Sequence, residues 1–486
     1  MTSSIEVFCA EETGVINPNI YGHFIEHLGR CIYGGIFDEG SPLSDRRGFR
    51  VDVLDAVKAI RCPILRWPGG NFASNYHWED GIGPRNSRPV RLDTAWNALD
   101  DNHFGTDEFI EYCKEIGTNP YICVNTGTGT LDEALRWVEY CNRDGDSTYA
   151  AKRSALGHSK PHQVRYWGIG NEIYGKWQHG HRTAVEYGRL AREWSHFMKV
   201  VDPHIRTVAV GANDPEWDLS VLRECGNEVD YLSIHIYVGG PEYLPTVAAA
   251  HYCEERLELL EHVIAVAESR LQRDAPIEIA FDEWNVWFRG TVENGLEESY
   301  ALKDGLFAAG VFHAMHRHCR RVTMANLAQL VNVIGAIVSD ESGTHITPQY
   351  LAFKLYANHF GSRALRLRTD SERFTLGHAD GGATPRNSTP FLDASAALTD
   401  DRHTLTLAVI NRCPDQPLHT RIHLRDAIVS GNALAWELNG LDGMSANTFH
   451  DPDAVNITEK PPFQLKEHHT FPAHSVTLIR VPVEVS

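Results

Sequence analysis

Eight short apolar runs alternate with helix-like stretches between about residue 16 and residue 360, and this alternation constrains the fold more than any other feature. The runs are IYGHF (20–24), CPILRW (62–67), YICVN (121–125), VRYWGIG (164–170), TVAVG (207–211), YLSIHIY (231–237), IEIAF (277–281) and TMANLAQ (323–329). Amphipathic segments lie between them, among them 132–141, 184–201 and 253–270. Buried, β-branched strands that alternate with helices belong to a parallel sheet. Eight such units in one run favour a closed (β/α)8 TIM barrel over an open doubly wound sheet. No glycine-rich phosphate loop follows an early strand, which argues against a nucleotide site.

The pattern changes after the helix-like YLAFKLYANHFG (350–361). Short alternating runs take over: LRLRTD, FTLGHA, HTLTLAVIN, TRIHL, ALAWEL and SVTLIRVPV, with turn residues between them. This is the signature of an antiparallel β-sandwich of jelly-roll type. The expected division is a barrel over 16–360 and a sandwich over 361–486, with the strand in 1–15, SIEVFC, joining the sandwich.

Barrel enzymes place their chemistry at the C-terminal ends of the strands. Here every proposed strand ends in a polar or charged residue. In chain order these are Glu26, Arg66 with Asn71, Asn125, Asn171-Glu172, Asn213, His235 with Tyr237, Asp282-Glu283 with Trp287, and Gln329. One such residue is unremarkable; eight ends together are hard to explain as structure. Two ends carry a Glu after an apolar run, on strands four and seven. Cleaving a glycosidic bond takes two carboxyl groups, one to protonate the leaving oxygen and one to attack the anomeric carbon or activate water. The Asn, Arg, His, Tyr and Gln residues can hydrogen-bond sugar hydroxyls, and Trp can stack on a ring. Asp282 neighbours Glu283 on a strand, so period-two alternation points it the opposite way, towards the helical layer, where a structural ion pair suits it best.

The bulk properties exclude several other classes. A net charge of −19 opposes binding to phosphate backbones or anionic lipid. No apolar run approaches the ~20 residues of a membrane span, and MTSSIEVFCAEETG carries no secretory leader, so a cytoplasmic, reduced protein is expected. The ten Cys form no CxxC pair, and Cys62, Cys123 and Cys319 read as buried thiols. His316 and His318 are two apart on a helix and face different sides. No strand end shows a His, Cys and carboxylate cluster with ligand spacing, so no metal and no organic cofactor is expected.

IYGHFIEHLGRCIYGGIF, LRWPGGNFASNYHWEDGIGPR, YWGIGNEIYGKWQHGH, LSIHIY and FDEWNVW together resemble glycoside hydrolase family 51, chiefly intracellular α-L-arabinofuranosidases. FLDASAALT, LAVINR and SVTLIRV extend the resemblance across the second domain. The resemblance implies Glu172 as acid/base, with Asn171 towards the sugar 2-hydroxyl, and Glu283 as nucleophile. It implies sugar contacts at Glu26, Arg66, Asn71, His235, Tyr237, Trp287 and Gln329, with Trp96 as a wall of the pocket. Arg66 is expected to keep Glu283 ionised, and the surroundings of Glu172 to raise its pKa. The implied reaction is retaining, exo-acting release of arabinose from arabinan or arabinoxylan fragments, by a homo-oligomer, a hexamer in the family. A β-xyloside, a galactofuranoside or a glucan as substrate stays open on the residues alone, as does a silent sugar-binding protein.

Overall fold

In the computed structural model, which describes residues 2–377 and 383–485, the eight strands close into a parallel barrel. In order they are Gly22–Phe24, Ile64–Trp67, Asn119–Val124, Tyr166–Ile169, Arg206–Ala209, Tyr231–Val238, Glu278–Val286 and Val322–Ala328. Each expected run overlaps one of them. The seventh strand is longer than its apolar run and carries Asp282 and Glu283 within it. The helix expected over 253–270 begins instead at Tyr243 and ends at Glu268. Pro245 sits in its first turn, where a missing N–H costs nothing, so the proline does not block the earlier start.

The N-terminal half of the barrel is packed shut. Ile64, Tyr121, Tyr166, Val208, Tyr231, Ala280 and Met324, one from each of seven strands, form a single buried cluster. Gly22 occupies the first strand's place, where a Cβ would collide with Ile64 and the Ala325 carbonyl. This is a filled layer of the kind barrels need, and it leaves only the C-terminal mouth for chemistry.

The second sheet runs, neighbour to neighbour, through Val455–Phe463, Ala433–Gly440, Ser475–Val485, Thr404–Asn411, Leu392–Leu398, Arg363–Asp370, Thr2–Val15, Leu418–Arg425 and His468–Phe471. Thr2–Val15 pairs antiparallel with Arg363–Asp370 and parallel with Leu418–Arg425. The sheet is therefore mostly antiparallel. Its central strands are buried on both faces. Leu392, Ala394, Ala396 and Leu398 enter the sandwich core with Leu405, Leu407 and Val409. The intervening Asp393 and Ser395 turn towards the barrel, where Ser395 meets His316 at 2.8 Å and Asp393 meets Arg412 and Arg317 at 2.6 and 3.1 Å. His316 is thus a satisfied histidine of the domain contact. All ten Cys are buried and unpaired.

Candidate active site

The seventh strand gains one residue against both neighbours. Ala280 and Glu283 face Ser233 and His235 on the sixth strand, and Phe281 and Trp284 face Ala325 and Leu327 on the eighth, so three steps match two on each side. A β-bulge of this kind places consecutive side chains on the same face. Asp282 and Glu283 consequently both point into the barrel, while Phe281 and Trp284 pack together in the layer beneath the helices. Simple alternation, which sent Asp282 to the helical layer, fails here. Asp282 instead accepts from Tyr121 Oη at 2.7 Å and lies 3.2 Å from His235 Nε2 and 3.9 Å from Arg66 Nε.

Glu283 is fixed from two sides. Arg66 donates to Oε1 at 2.7 Å and Tyr237 to Oε2 at 2.9 Å. Arg66 also donates to the Asp282 carbonyl at 3.1 Å and to Asn171 Oδ1 at 2.6 Å. Burial works against the guanidinium charge, but the carboxylates of Asp282 and Glu283 outweigh it and hold the Arg66 pKa well above the ordinary arginine value. Arg66 is almost fully buried and lies beneath the pocket rather than in its lining. Through these hydrogen bonds it positions Glu283 and Asn171.

Glu172 stands on a turn. Beyond the fourth strand, Gly170 has φ +82° and its missing Cβ makes room for Thr126. Glu172 follows at φ +41°, a left-handed conformation that costs a non-glycine residue roughly 1–3 kcal/mol and is common at functional sites. Tyr174 donates to Oε1 and Trp177 to Oε2, both at 3.1 Å. His235 Nδ1 lies 2.9 Å from Glu172 Oε1 and 3.4 Å from Glu283 Oε2. Burial lowers the His235 pKa, but Glu283, Asp282 and Glu172 together raise it to about 10. Burial pushes the Glu172 carboxyl up, yet His235 with Trp177 and Tyr174 outweighs that and the net shift is downward. The raised value expected for Glu172 is not what this environment produces, because the histidine opposite carries the proton.

Glu26 shows the reverse balance. Burial lifts its carboxyl to about 7, against hydrogen bonds from the Phe72 N–H and Trp96 Nε1, each at 3.0 Å, and with the Glu283 charge adding to the rise. Gln329 donates to its other oxygen at 3.1 Å. Trp96 reaches Glu26 from the turn of a hairpin, Arg91–Asp93 with Ala98–Asp100.

Glu26, Asn71, Trp96, Asn171, Glu172, His235, Tyr237, Glu283, Trp287 and Gln329 line one cavity of about 610 Å³ at the barrel mouth. Gly70 belongs to the wall: a Cβ there would stand 3.2 Å from Glu283 Oε1 and 3.4 Å from Glu26 Oε2, so glycine leaves space between the carboxylates. Asn125 and Asn213 do not join them. Asn125 binds the Tyr76 carbonyl and its own turn at Gly127 and Thr128, and Asn213 accepts from Arg256 at 2.7 Å. Tyr174 and Trp177 do line the cavity and were not singled out from the sequence, although they fall two and five residues after Glu172. Glu172, His235 and Glu283 bring ligand-type atoms within 4.8 Å of one another, contrary to the expectation that no strand end offers such a cluster. Barrel closure joins strands that linear spacing keeps far apart.

Known proteins resemble the chain along its whole length. A family model described as an α-L-arabinofuranosidase 1 domain matches residues 56–254, and one described as an α-L-arabinofuranosidase C-terminal domain matches residues 282–475. The second begins at Asp282, so its boundary cuts through the seventh strand. A probable α-L-arabinofuranosidase C of Aspergillus fumigatus is 38% identical, over 99% of this chain and 98% of its own. The intracellular exo-α-(1→5)-L-arabinofuranosidase 1 of Bacillus subtilis is 36% identical, over 85% of each. The solved structure of the thermostable family 51 α-L-arabinofuranosidase from Thermotoga petrophila superposes with a TM-score of 0.94 at 47% identity, covering 99% of this chain and 100% of that one.

Proposed function

The chain belongs to the family 51 α-L-arabinofuranosidases, and from that membership we propose that it releases terminal α-L-arabinofuranosyl residues from arabinan- or arabinoxylan-derived oligosaccharides by a retaining double displacement. The observation that carries this reading is the facing pair: Glu172 and Glu283 each present an oxygen within 4.8 Å of the other across one pocket. Carboxyl groups about 5–5.5 Å apart suit direct attack on the sugar, whereas inversion leaves room for a water at about 6.5–9.5 Å.

Glu283 is the nucleophile. Arg66 and Tyr237 hold and aim both its oxygens. Glu172 is the acid/base, and its proton comes from His235 along the 2.9 Å hydrogen bond. As Glu283 bonds to the anomeric carbon and the bond to the leaving oxygen breaks, its charge is spent and the imidazolium loses its largest support. In the same step the proton passes from His235 through Glu172 to the leaving oxygen, and the Glu172 carboxylate afterwards serves as the base for water. Glu26, Asn71, Asn171 and Gln329 bind the hydroxyls, and Trp96 and Trp287 bound the ring. No step uses a metal or an organic cofactor.

Two further points belong to this proposal. The Bacillus relative is named intracellular, which supports a cytoplasmic enzyme acting on oligosaccharides; no helix among the described residues is long and apolar enough to cross a membrane. Family resemblance supports a homo-oligomer of hexameric size, which light scattering measures directly. The decisive experiment is a panel of nitrophenyl glycosides, with proton NMR of the first sugar released. Turnover of the α-L-arabinofuranoside with retained configuration is expected. Preference for the β-xyloside or galactofuranoside corrects the substrate, and an inverted first product removes Glu283 from its role.

A further inference from the structure

Two groups among the described residues gather three metal-ligating side chains within reach of one ion. They are Asp107 with His158 and His162, and Glu172 with His235 and Glu283. They differ behind the histidine. A histidine that ligates through one nitrogen carries a proton on the other and needs an acceptor for it. His162 lies 3.0 Å from Asp107 through Nε2, and its buried Nδ1 has no partner. His235 turns Nδ1 to the two catalytic carboxylates and sets Nε2 3.2 Å from Asp282 Oδ1. Only the second group has the carboxylate–histidine–metal order that fixes a ligating imidazole.

We propose that the sugar pocket also binds a borderline divalent cation of the zinc class, through His235 Nδ1 and one oxygen each of Glu172 and Glu283, in competition with the substrate. Bonds of about 2.0–2.1 Å in a tetrahedral shell place neighbouring ligand atoms roughly 3.3 Å apart. His235 Nδ1 stands 2.9 Å from Glu172 Oε1 and 3.4 Å from Glu283 Oε2, so small side-chain shifts complete the shell. The cation takes the place of the proton on His235 Nδ1, which leaves to solvent, and the fourth position opens into the cavity, where solvent supplies a ligand. One nitrogen and two carboxylate oxygens suit zinc, and neighbouring Asp282 adds negative charge on the outer side. An ion seated there occupies the space between Glu172 and Glu283 that the scissile bond requires. All ten cysteines are buried, so attack on a surface thiol is not the route by which such a cation acts.

The inhibition rests on the catalytic reading of Glu172 and Glu283, whereas the binding does not, and the experiment separates the two. Full-length protein freed of metal by EDTA is titrated calorimetrically with Zn2+, with and without saturating arabinose, and the hydrolysis of nitrophenyl arabinofuranoside is followed at several Zn2+ concentrations. The chelator-treated enzyme should be fully active. Zn2+ should bind once per chain at this site and raise the apparent KM at least tenfold with kcat unchanged, and EDTA should reverse it. Arabinose should weaken Zn2+ binding at least tenfold, an arm that needs no variant. Glu172→Gln should weaken it at least tenfold, and His158→Ala should leave it intact. Zn2+ that lowers kcat at constant KM, ignores arabinose, or is lost in H158A and kept in E172Q overturns the proposal. If the chain proves inactive on every glycoside while Zn2+ still binds through Glu172, the catalytic reading fails and the metal site stands.

Discussion

Glu283 is carried by a strand and Glu172 by a turn, and their surroundings differ accordingly. Glu283 lies inside a nine-residue strand held by ladders on both sides, with a buried guanidinium and a tyrosine hydroxyl as partners. Glu172 lies three residues beyond its strand, at positive φ, and two of its donors, Tyr174 and Trp177, come from its own turn. Trp177 is 63% exposed. The two settings match two tasks. The nucleophile proposed for Glu283 must be held on one line of attack, which a buried hydrogen-bond partner and a rigid strand provide. An acid/base must exchange its proton twice and meet leaving groups of different shapes, which a turn at the pocket rim permits.

The largest expected effect falls on the rigid side. Glu283→Ala should lose at least about 10⁴-fold in kcat on every substrate, since removing a nucleophile removes the covalent step itself. Added azide should restore turnover by attacking from the vacated face, giving an inverted glycosyl azide. Equal activity in the variant and the parent would break the comparison at once. Glu172→Ala comes next, and its loss should depend on the leaving group. Substrates with a sugar alcohol as leaving group should lose about 10²–10⁴-fold, while activated aryl glycosides should lose far less in the glycosylation step. Pre-steady-state kinetics on two aryl groups of different acidity measure this, and identical losses on both would cancel the assigned roles.

A third test concerns Glu26, which faces Glu283 and Arg66 from the first-strand side of the mouth. Its folded pKa of about 7 lies above the unfolded carboxylate value. The folded chain therefore keeps a proton that the unfolded chain releases, and stability falls as pH rises from about 4.5 through 7. The shift corresponds to roughly 3 kcal/mol once the pH exceeds both values. Glu26→Gln should escape this loss, so its melting temperature should gain on the parent between pH 4.5 and 7.5, while its KM for the arabinofuranoside rises. A constant gap across that range would show that Glu26 titrates normally. The smallest effect belongs to the rim: Trp177→Phe removes one exposed donor to Glu172, and kcat should change only a few-fold, because an exposed hydrogen bond contributes about 1 kcal/mol.

The same contrast explains what could be seen in the sequence. Apolar runs and their polar ends located the strands and most of the pocket, since a barrel turns strand order into a ring of mouths. Asn125 and Asn213 have the same linear appearance as Asn171, but whether a polar end faces a ligand or locks its own loop depends on backbone turns that the residue type does not encode. Asp282 was misdirected because a bulge breaks period-two alternation without leaving a mark in the residues around it. Tyr174 and Trp177 went unnoticed because a left-handed residue folds the chain back, bringing positions two and five residues away onto the Glu172 oxygens. The resemblance to family 51 carried most of the residues proposed to touch the sugar, and it carried Arg66 too, whose buried place only the packed barrel reveals.

Thr2–Val15 leaves the ribosome long before its partners in the sheet, both of which are made more than 340 residues later. At about 5–20 residues per second it waits tens of seconds for them. During that interval Ile5, Val7 and Cys9, which end in the sandwich core, belong to an unpaired edge of the sort that recruits foreign strands. Between and beyond them lie Glu6, Glu11 and Glu12. In the finished protein these pair with Arg425, Arg366, and Arg363 and Arg402, all of them in the late-made segment. Until those arginines are synthesised the three glutamates are uncompensated, so the strand repels copies of itself emerging from neighbouring ribosomes. The charges that later close the domain first serve to keep nascent chains apart.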